Sequence, residues 1–440
     1  MQQAFYELAD YLASRLQGDE VFLASFAGEE SDFVRINHAQ VRQAGSVQQR
    51  YMAVDLVRGQ RHVKAVVTLS GEGNEDRKRV DAMLDDLRRQ LPHVPEDPYL
   101  LYATDVRSTR RCGENKLPPR GQAVDEILKT GKGKDLVGLY TQGGIFAGFA
   151  NSLGQRNWFS SHSFNWDFSI YHEKDKAVKS MYAGFAWDPD EFERKMCSVA
   201  EQLAILTRPA RTISPGQYRV YLAPAALEDI TGTLSWGGFS MKAHRTKTTS
   251  LLKMIAAGAT LSPMVTIREN TKEGIAPDFQ AAGYVKPDEV VLIEKGQYKD
   301  CLVSPRSAKE YGVVPNGASQ AESPESLDVA AGDVPTAEVL DRLDTGLYIN
   351  QLHYLNYSDR PGCRMTGMTR FATFWVENGH IVAPVNVMRF DETAYRVLGE
   401  NLLGLTRERD FIPSASSYGQ RSTGSTRLPG ALVKGFNFTL

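Results

Sequence analysis

Apolar residues recur at three- and four-residue steps through Phe5, Leu8, Leu12 and Leu16 before Gly18, and this spacing predicts an opening helix. Strand patterns follow. Residues 21–26, 32–37, 51–57 and 62–69 are β-rich and partly alternating, and Arg58-Gly59-Gln60 reads as a hairpin turn between the last two, so an antiparallel meander is expected. Val80, Met83, Leu84, Leu87 and Leu91 then share one helical face, and Pro92 ends that helix. A further helix is signalled by Asp188-Pro189, a capping residue followed by proline in the first turn. Its inner face carries Phe192, Met196, Val199, Leu203 and Leu206. Helices covering one face of an antiparallel sheet predict an α+β domain.

Residues 208–216 hold two prolines and a glycine, which places a boundary between an N-terminal α+β domain at 1–207 and a strand-rich, mixed α+β C-terminal domain at 217–440. In the second domain, strands are expected at 218–222, 264–269, 289–294, 346–352, 370–376 and 381–390. Short helices are expected at 225–234, 336–343 and 392–405. Glu377-Asn378-Gly379-His380 is the clearest turn, because Asn-Gly readily takes the positive φ angles of a type I′ hairpin. On composition alone, the acidic, proline-containing stretch 321–333 reads as a linker.

The balance of 51 Lys+Arg against 53 Asp+Glu in 440 residues leaves a formal charge of −2, with no global positive field to hold nucleic acid or an anionic membrane. Cys112, Cys197, Cys301 and Cys363 are widely spaced, so buried free thiols in a reducing compartment are expected rather than a disulfide scaffold. The first residues have acids and no basic-then-apolar pattern of a signal peptide, and no run approaches the ~18 apolar residues of a spanning helix. A cytoplasmic protein with no membrane partner is expected.

Several chemistries are excluded by their motifs. There is no Gly-x-x-x-x-Gly-Lys-Ser/Thr, no Gly-x-Ser-x-Gly and no Gly-x-Gly-x-x-Gly, and Thr130-Gly-Lys-Gly-Lys134 is only a glycine and lysine turn. None of the eight histidines has a partner four residues away, the spacing that lets two imidazoles face one zinc ion from a helix. His353, Cys363 and His380 would form a metal site only if their strands were neighbours; solvated or core side chains are the expectation. The segment from Arg107 to Arg120 has five positive residues against one acid but lacks the interleaved aromatics that stack bases.

A set of blocks spread over most of the chain resembles the TldD/TldE (PmbA) family, once called modulators of DNA gyrase. Ala150-Asn-Ser-Leu-Gly154 with the serine-rich Phe159-Ser-Ser-His-Ser-Phe164 is similar to the family's Asn-Ser-x-Gly strand and turn. Tyr218-Arg-Val-Tyr-Leu-Ala-Pro-Ala225, Val265-Thr-Ile-Arg268, Val290-Val-Leu-Ile-Glu-Lys-Gly296, Gly346-Leu-Tyr-Ile349 and Phe374-Trp-Val-Glu-Asn-Gly-His-Ile-Val-Ala-Pro-Val385 follow in the family's order. Each block is weak alone, and the ordered set is specific. The resemblance also turns 327–333 from a linker into a strand and turn.

In that family the TldD members carry a His-Glu-x-x-x-His helix after the Leu-x-Pro block and a C-terminal cysteine that completes a zinc site. Here residues 225–238 contain no histidine, and Gly232, Thr233 and Gly237 stand near the positions of the two ligands and the general base. The stretch 410–420 contains no cysteine. Glycine offers no zinc donor and threonine no water-activating carboxylate. The resemblance therefore implies a TldE-like, non-catalytic chain with no cofactor or catalytic residue of its own. Its implied partners are a TldD-like subunit carrying the zinc and an extended peptide substrate, with a homodimer as the other assembly and nucleic acid disfavoured. Trp236, expected to fill space vacated by a metal site, and the Phe374-Trp375 pair are the expected partner or peptide surface. The competing readings are a stand-alone metallopeptidase with a non-standard site drawn from His244, His353, Cys363 and His380, and a regulator associated with DNA or a topoisomerase.

Overall fold

The computed structural model describes residues 1–173 and 176–440. Its N-terminal half is built on one seven-stranded sheet. The chain enters through the helix Gln2–Ser14, then runs a meander of Val21–Asn37, Gln40–Arg58 and Arg61–Thr68. The two expected strands at 21–26 and 32–37 are one strand of 17 residues, because Glu29 and Glu30 continue the ladder with Gln49 and Gln48 instead of turning. Three long strands, Asp135–Asn151, Arg156–Glu173 and Lys176–Gly184, extend the sheet from the other side of Val21–Asn37, and Arg110–Cys112 pairs in parallel with Trp158 to Ser160. Only the glycine, serine and asparagine block at their centre had a sequence signal. Covering on both faces removes the polar–apolar alternation that marks a half-exposed strand.

The sheet's two faces meet different partners. Phe22, Phe26, Ile36, Leu136, Tyr140, Trp166 and Phe168 pack beneath four helices, Gln2–Ser14, Gly73–Gln90, Gln122–Gly131 and Pro189–Leu206. The last begins as expected, with the Asp188 side chain accepting from the amides of Asp190 and Glu191. On the opposite face Leu23, Phe149 and Phe159 meet Phe279 from the second half of the chain.

The second half forms a 13-stranded mixed sheet among the described residues, so the α+β architecture holds for both halves. Ser425–Phe438 lies at its centre, pairing with Gly216–Leu222, Ser326–Val329, Arg389–Thr393 and Leu402–Pro413. Ser326–Val329 is fully buried, which settles the acidic stretch as sheet rather than linker. The hairpin at Asn378 and Gly379 has φ of 53° and 76°, as a type I′ turn requires. Two expectations fail nearby. Residues 381–390 are two strands, His380–Pro384 and Arg389–Thr393. The helix expected at 392–405 is a single π-type turn, Arg396–Glu400, between strands, because its apolar residues fill the core as a bend rather than as a helical stripe.

Two arginines fasten the halves together. Arg111, from the basic stretch, donates to the carbonyls of Thr271, Lys272 and Gly274 at 2.7, 3.1 and 2.6 Å. Arg421, 8% exposed, reaches from the loop before the last strand into the N-terminal sheet. It donates to Ser31 Oγ, Gly143 O and both the carbonyl and hydroxyl of Ser163. Arg111, from the most basic segment, thus serves domain docking. Of the four cysteines, all free, Cys301 and Cys363 are buried, whereas Cys112 and Cys197 are exposed, against the expectation of buried thiols. No described helix is long and apolar enough to cross a membrane.

Candidate functional site

The C-terminal half covers the inner face of the N-terminal sheet only at one end. Beyond Glu29 and Ser31, which meet the Arg421 loop, the face opens into a groove of about 780 Å³. Phe33, Val137, Leu139, Asp167 and Lys179 project into it from adjacent strands, and Phe371 and Ser417 bound it from the C-terminal half.

Polar groups continue from this groove to the helix Pro224–Leu234. Lys179 lies 3.7 Å from Asp167 and 5.9 Å from the Phe371 ring centre. His353 meets the same ring edge-on at 6.1 Å, and its Nε2 accepts a 2.9 Å hydrogen bond from Arg370, which leaves its proton on Nδ1. Burial, with the nearby cations Arg370 and Lys179, lowers the His353 pKa. Burial raises the pKa of Asp167 and of Glu228, with Lys179 opposing in both cases. Asp229 is pushed up to about 7 by burial and then by its neighbour Glu228, although its carboxylate accepts the Leu352 amide at 3.0 Å. Buried carboxyls whose proton affinity is raised in this way, with fixed cations nearby, are suited to hydrogen-bonding polar backbone and side chains of a ligand.

The expected zinc-helix positions are built for structure. Thr233 is buried, its hydroxyl donates to the Asp229 carbonyl at 2.8 Å, and its own carbonyl accepts from Tyr357. Gly232 lies on the same helix, and a side chain there would meet the Glu228 carboxylate. Gly237 takes a φ of 80° in the turn that follows, where its backbone leaves the helix. His244 is held locally, Nε2–H donating to the Gly238 carbonyl at 2.7 Å. His353, Cys363 and His380 are not brought together: His353 is bonded to Arg370, Cys363 lies in the C-terminal core, and His380 is exposed on a hairpin strand. Among the described residues no group of three or more His, Cys, Asp or Glu side chains is arranged to hold a metal ion. The donor set around Pro224–Leu234 therefore does not fit the family's zinc.

Three aromatic expectations need correction or refinement. Phe374 is fully buried and Trp375 is 9% exposed, because strand Thr373–Glu377 lies inside the sheet with neighbours on both edges. Neither offers a surface. Trp236 is 54% exposed, so it fills no vacated space, and it remains a surface residue at the end of the helix. Trp236→Ala is therefore expected to change stability by no more than about 0.5 kcal/mol, whereas truncating the fully buried Trp166 should cost about 3–5 kcal/mol; thermal melts of the two variants check the contrast. Asp167, Lys179, Glu228, Asp229 and Arg370 had no signal in the sequence, since the groove assembles them from both halves.

The C-terminal half matches a family model, the PmbA/TldA metallopeptidase C-terminal domain, over residues 215–440. The chain belongs to the TldD/TldE/PmbA family. Solved structures share the fold over its whole length. TldE from Thermococcus kodakarensis is 13% identical with a TM-score of 0.79, covering 99% of this chain and 100% of that one. A proposed modulator of a DNA gyrase from Thermotoga maritima is 16% identical with a TM-score of 0.77 over the same shares. A counterpart from Bacteroides thetaiotaomicron is 16% identical with a TM-score of 0.72, covering 99% of this chain and 98% of that one. No curated protein matches in sequence.

Proposed function

We propose that this chain is a TldE-like, non-catalytic subunit. In this reading it pairs in the cytoplasm with a TldD-like zinc metallopeptidase and forms part of the chamber in which extended peptides are cleaved or matured. The observation that carries the reading is the helix Pro224–Leu234: it keeps its place beside the groove while Gly232, Thr233 and Gly237 supply neither ligand nor base. The dispersal of His353, Cys363 and His380 weighs against a stand-alone metallopeptidase. The use of Arg111 for domain docking weighs against a DNA-contacting role.

Zinc content tests the assignment of the metal to the partner. After incubation with zinc and dialysis, the purified chain is expected to retain far less than one equivalent by elemental analysis. Retention of a full equivalent, lost on changing His353 or Cys363, would return the catalytic reading to this chain.

A further inference from the structure

We propose that the open end of the N-terminal sheet's inner face binds an extended acidic peptide, with Arg35 and Arg42 receiving its carboxylates. This inference rests on the reading of the chain as a peptide-holding subunit and gives that role a substrate class. The first observation is a β-bulge. Arg35 pairs with Gln43 and Ile36 with Val41, so Arg42 is the extra residue, and the bulge turns it toward the side occupied by Arg35. Arg35, Asn37, Arg42, Gln43 and Val137 line a recess of about 580 Å³ that is continuous with the main groove through Arg35, Gln43 and Val137.

The second observation is charge. Both arginines are exposed, and among the described residues neither makes an ion pair or a side-chain hydrogen bond. Among the described residues the recess has no acidic lining residue, and the only carboxyl lining the main groove, Asp167, already faces Lys179. Two unspent guanidinium groups on neighbouring strands match two carboxylates of a ligand in extended conformation.

The third is backbone. Gln40–Arg58 pairs with Arg61–Thr68 only from Tyr51 onward, so residues 40–49 present a free strand edge beside the recess. A peptide added along that edge gains main-chain hydrogen bonds, while alternate side chains reach the groove. Phe33, Val137, Leu139 and Phe371 give the groove an apolar floor for the others. Nucleic acid fits less well, because two arginines and a lysine make a short cationic spot rather than a track for successive phosphates.

Fluorescence anisotropy on the full chain tests this, with a fluorescein-labelled peptide of alternating Glu and Leu compared with Gln-Leu and Lys-Leu versions. The Glu peptide is expected to bind roughly tenfold more tightly than the Gln peptide, with affinity falling as salt rises. The double variant Arg35→Gln/Arg42→Gln should lose most of that preference, while Arg89→Gln, on a distant helix, should keep it. Equal binding of the Glu and Gln peptides, or an unaffected double variant, would overturn the proposal. So would tighter binding of oligothymidylate than of the Glu peptide, or light scattering that shows a dimer broken by the double variant with no peptide bound. Failure of the subunit reading shows separately. If a mixed complex with a TldD-type enzyme forms and cleaves peptides while the Glu peptide does not bind, only the groove assignment falls. If the Glu peptide binds but no complex forms, the groove stands and the subunit reading falls.

Discussion

Co-expression with a TldD-type zinc metallopeptidase is expected to yield a mixed complex with zinc-dependent peptidase activity that neither chain shows alone. The expectation follows from what the helix Pro224–Leu234 lacks and what surrounds it. Catalysis of peptide hydrolysis by zinc needs an open metal site, and this helix carries no histidine or cysteine to build one. In the proposed reading, such a chain shapes the space around another subunit's metal. A stable partnership of this kind buries ~1,200 to 2,000 Å² and leans on aromatic or arginine anchors. The buried Phe374 and Trp375 cannot serve, so the exposed Trp236 at the helix end is the aromatic anchor available from the original set. Size exclusion and a peptide-cleavage assay with and without a chelator check the prediction. Separate elution at micromolar concentration, with the catalytic chain fully active alone, would remove the basis for a subunit role.

Arg421→Ala is expected to destabilise the protein by about 3 kcal/mol or more, the usual cost of removing one member of a buried charged network. The guanidinium is enclosed between the halves, where burial lowers its pKa and the Glu29 carboxylate opposes that shift. Its removal leaves Ser163 O, Gly143 O and the Ser31 hydroxyl without their donor. Glu29, 1% exposed, also loses its nearest cationic neighbour. The loop 414–424 is further tied by Gln420 to Gly28 O and by Gln49 to Gly419 O, so its loosening should appear as faster proteolysis there. Arg421→Lys should recover only part of the loss, because an ammonium cannot span the same acceptors as a planar fork. Chemical denaturation reads the stability change, and an unaltered midpoint with unaltered proteolysis would show that the arginine is not a tie between the halves.

Elements read correctly from sequence include some with one buried and one wet side and one with a diagnostic turn. The helix started by Asp188-Pro189, the meander around Gly59 and the Asn378-Gly379 turn carry their periodicity or turn chemistry locally. The long strands Asp135–Asn151 and Arg156–Glu173 carry no such contrast, because one face meets helices and the other meets the second half of the chain or the groove. Residues 392–405 misled for a related reason. Their leucines are spaced as on a helix, yet the central sheet needed a strand there, and tertiary packing overrode local preference.

The groove was not legible for a different reason. Asp167, Lys179, Glu228 and His353 lie on four separate elements, and none is unusual in its own stretch of sequence. The shifted acidities of Asp167, Glu228 and His353 come from burial by neighbours distant in the chain, a property that no local window contains. Trp236 and Trp375 show the same limit in reverse, since an indole is at home in a core or on a surface and only its neighbours decide which.

By itself the sequence determined the α+β class and the family, because these depend on residue identity and short-range order. The tertiary structure alone decided which aromatics face solvent, that Arg111 of the basic stretch docks the two halves, and that Arg35 and Arg42 share an open recess. Those outcomes depend on which strands become neighbours and which part of a sheet is left uncovered, and both are set by packing across the whole chain.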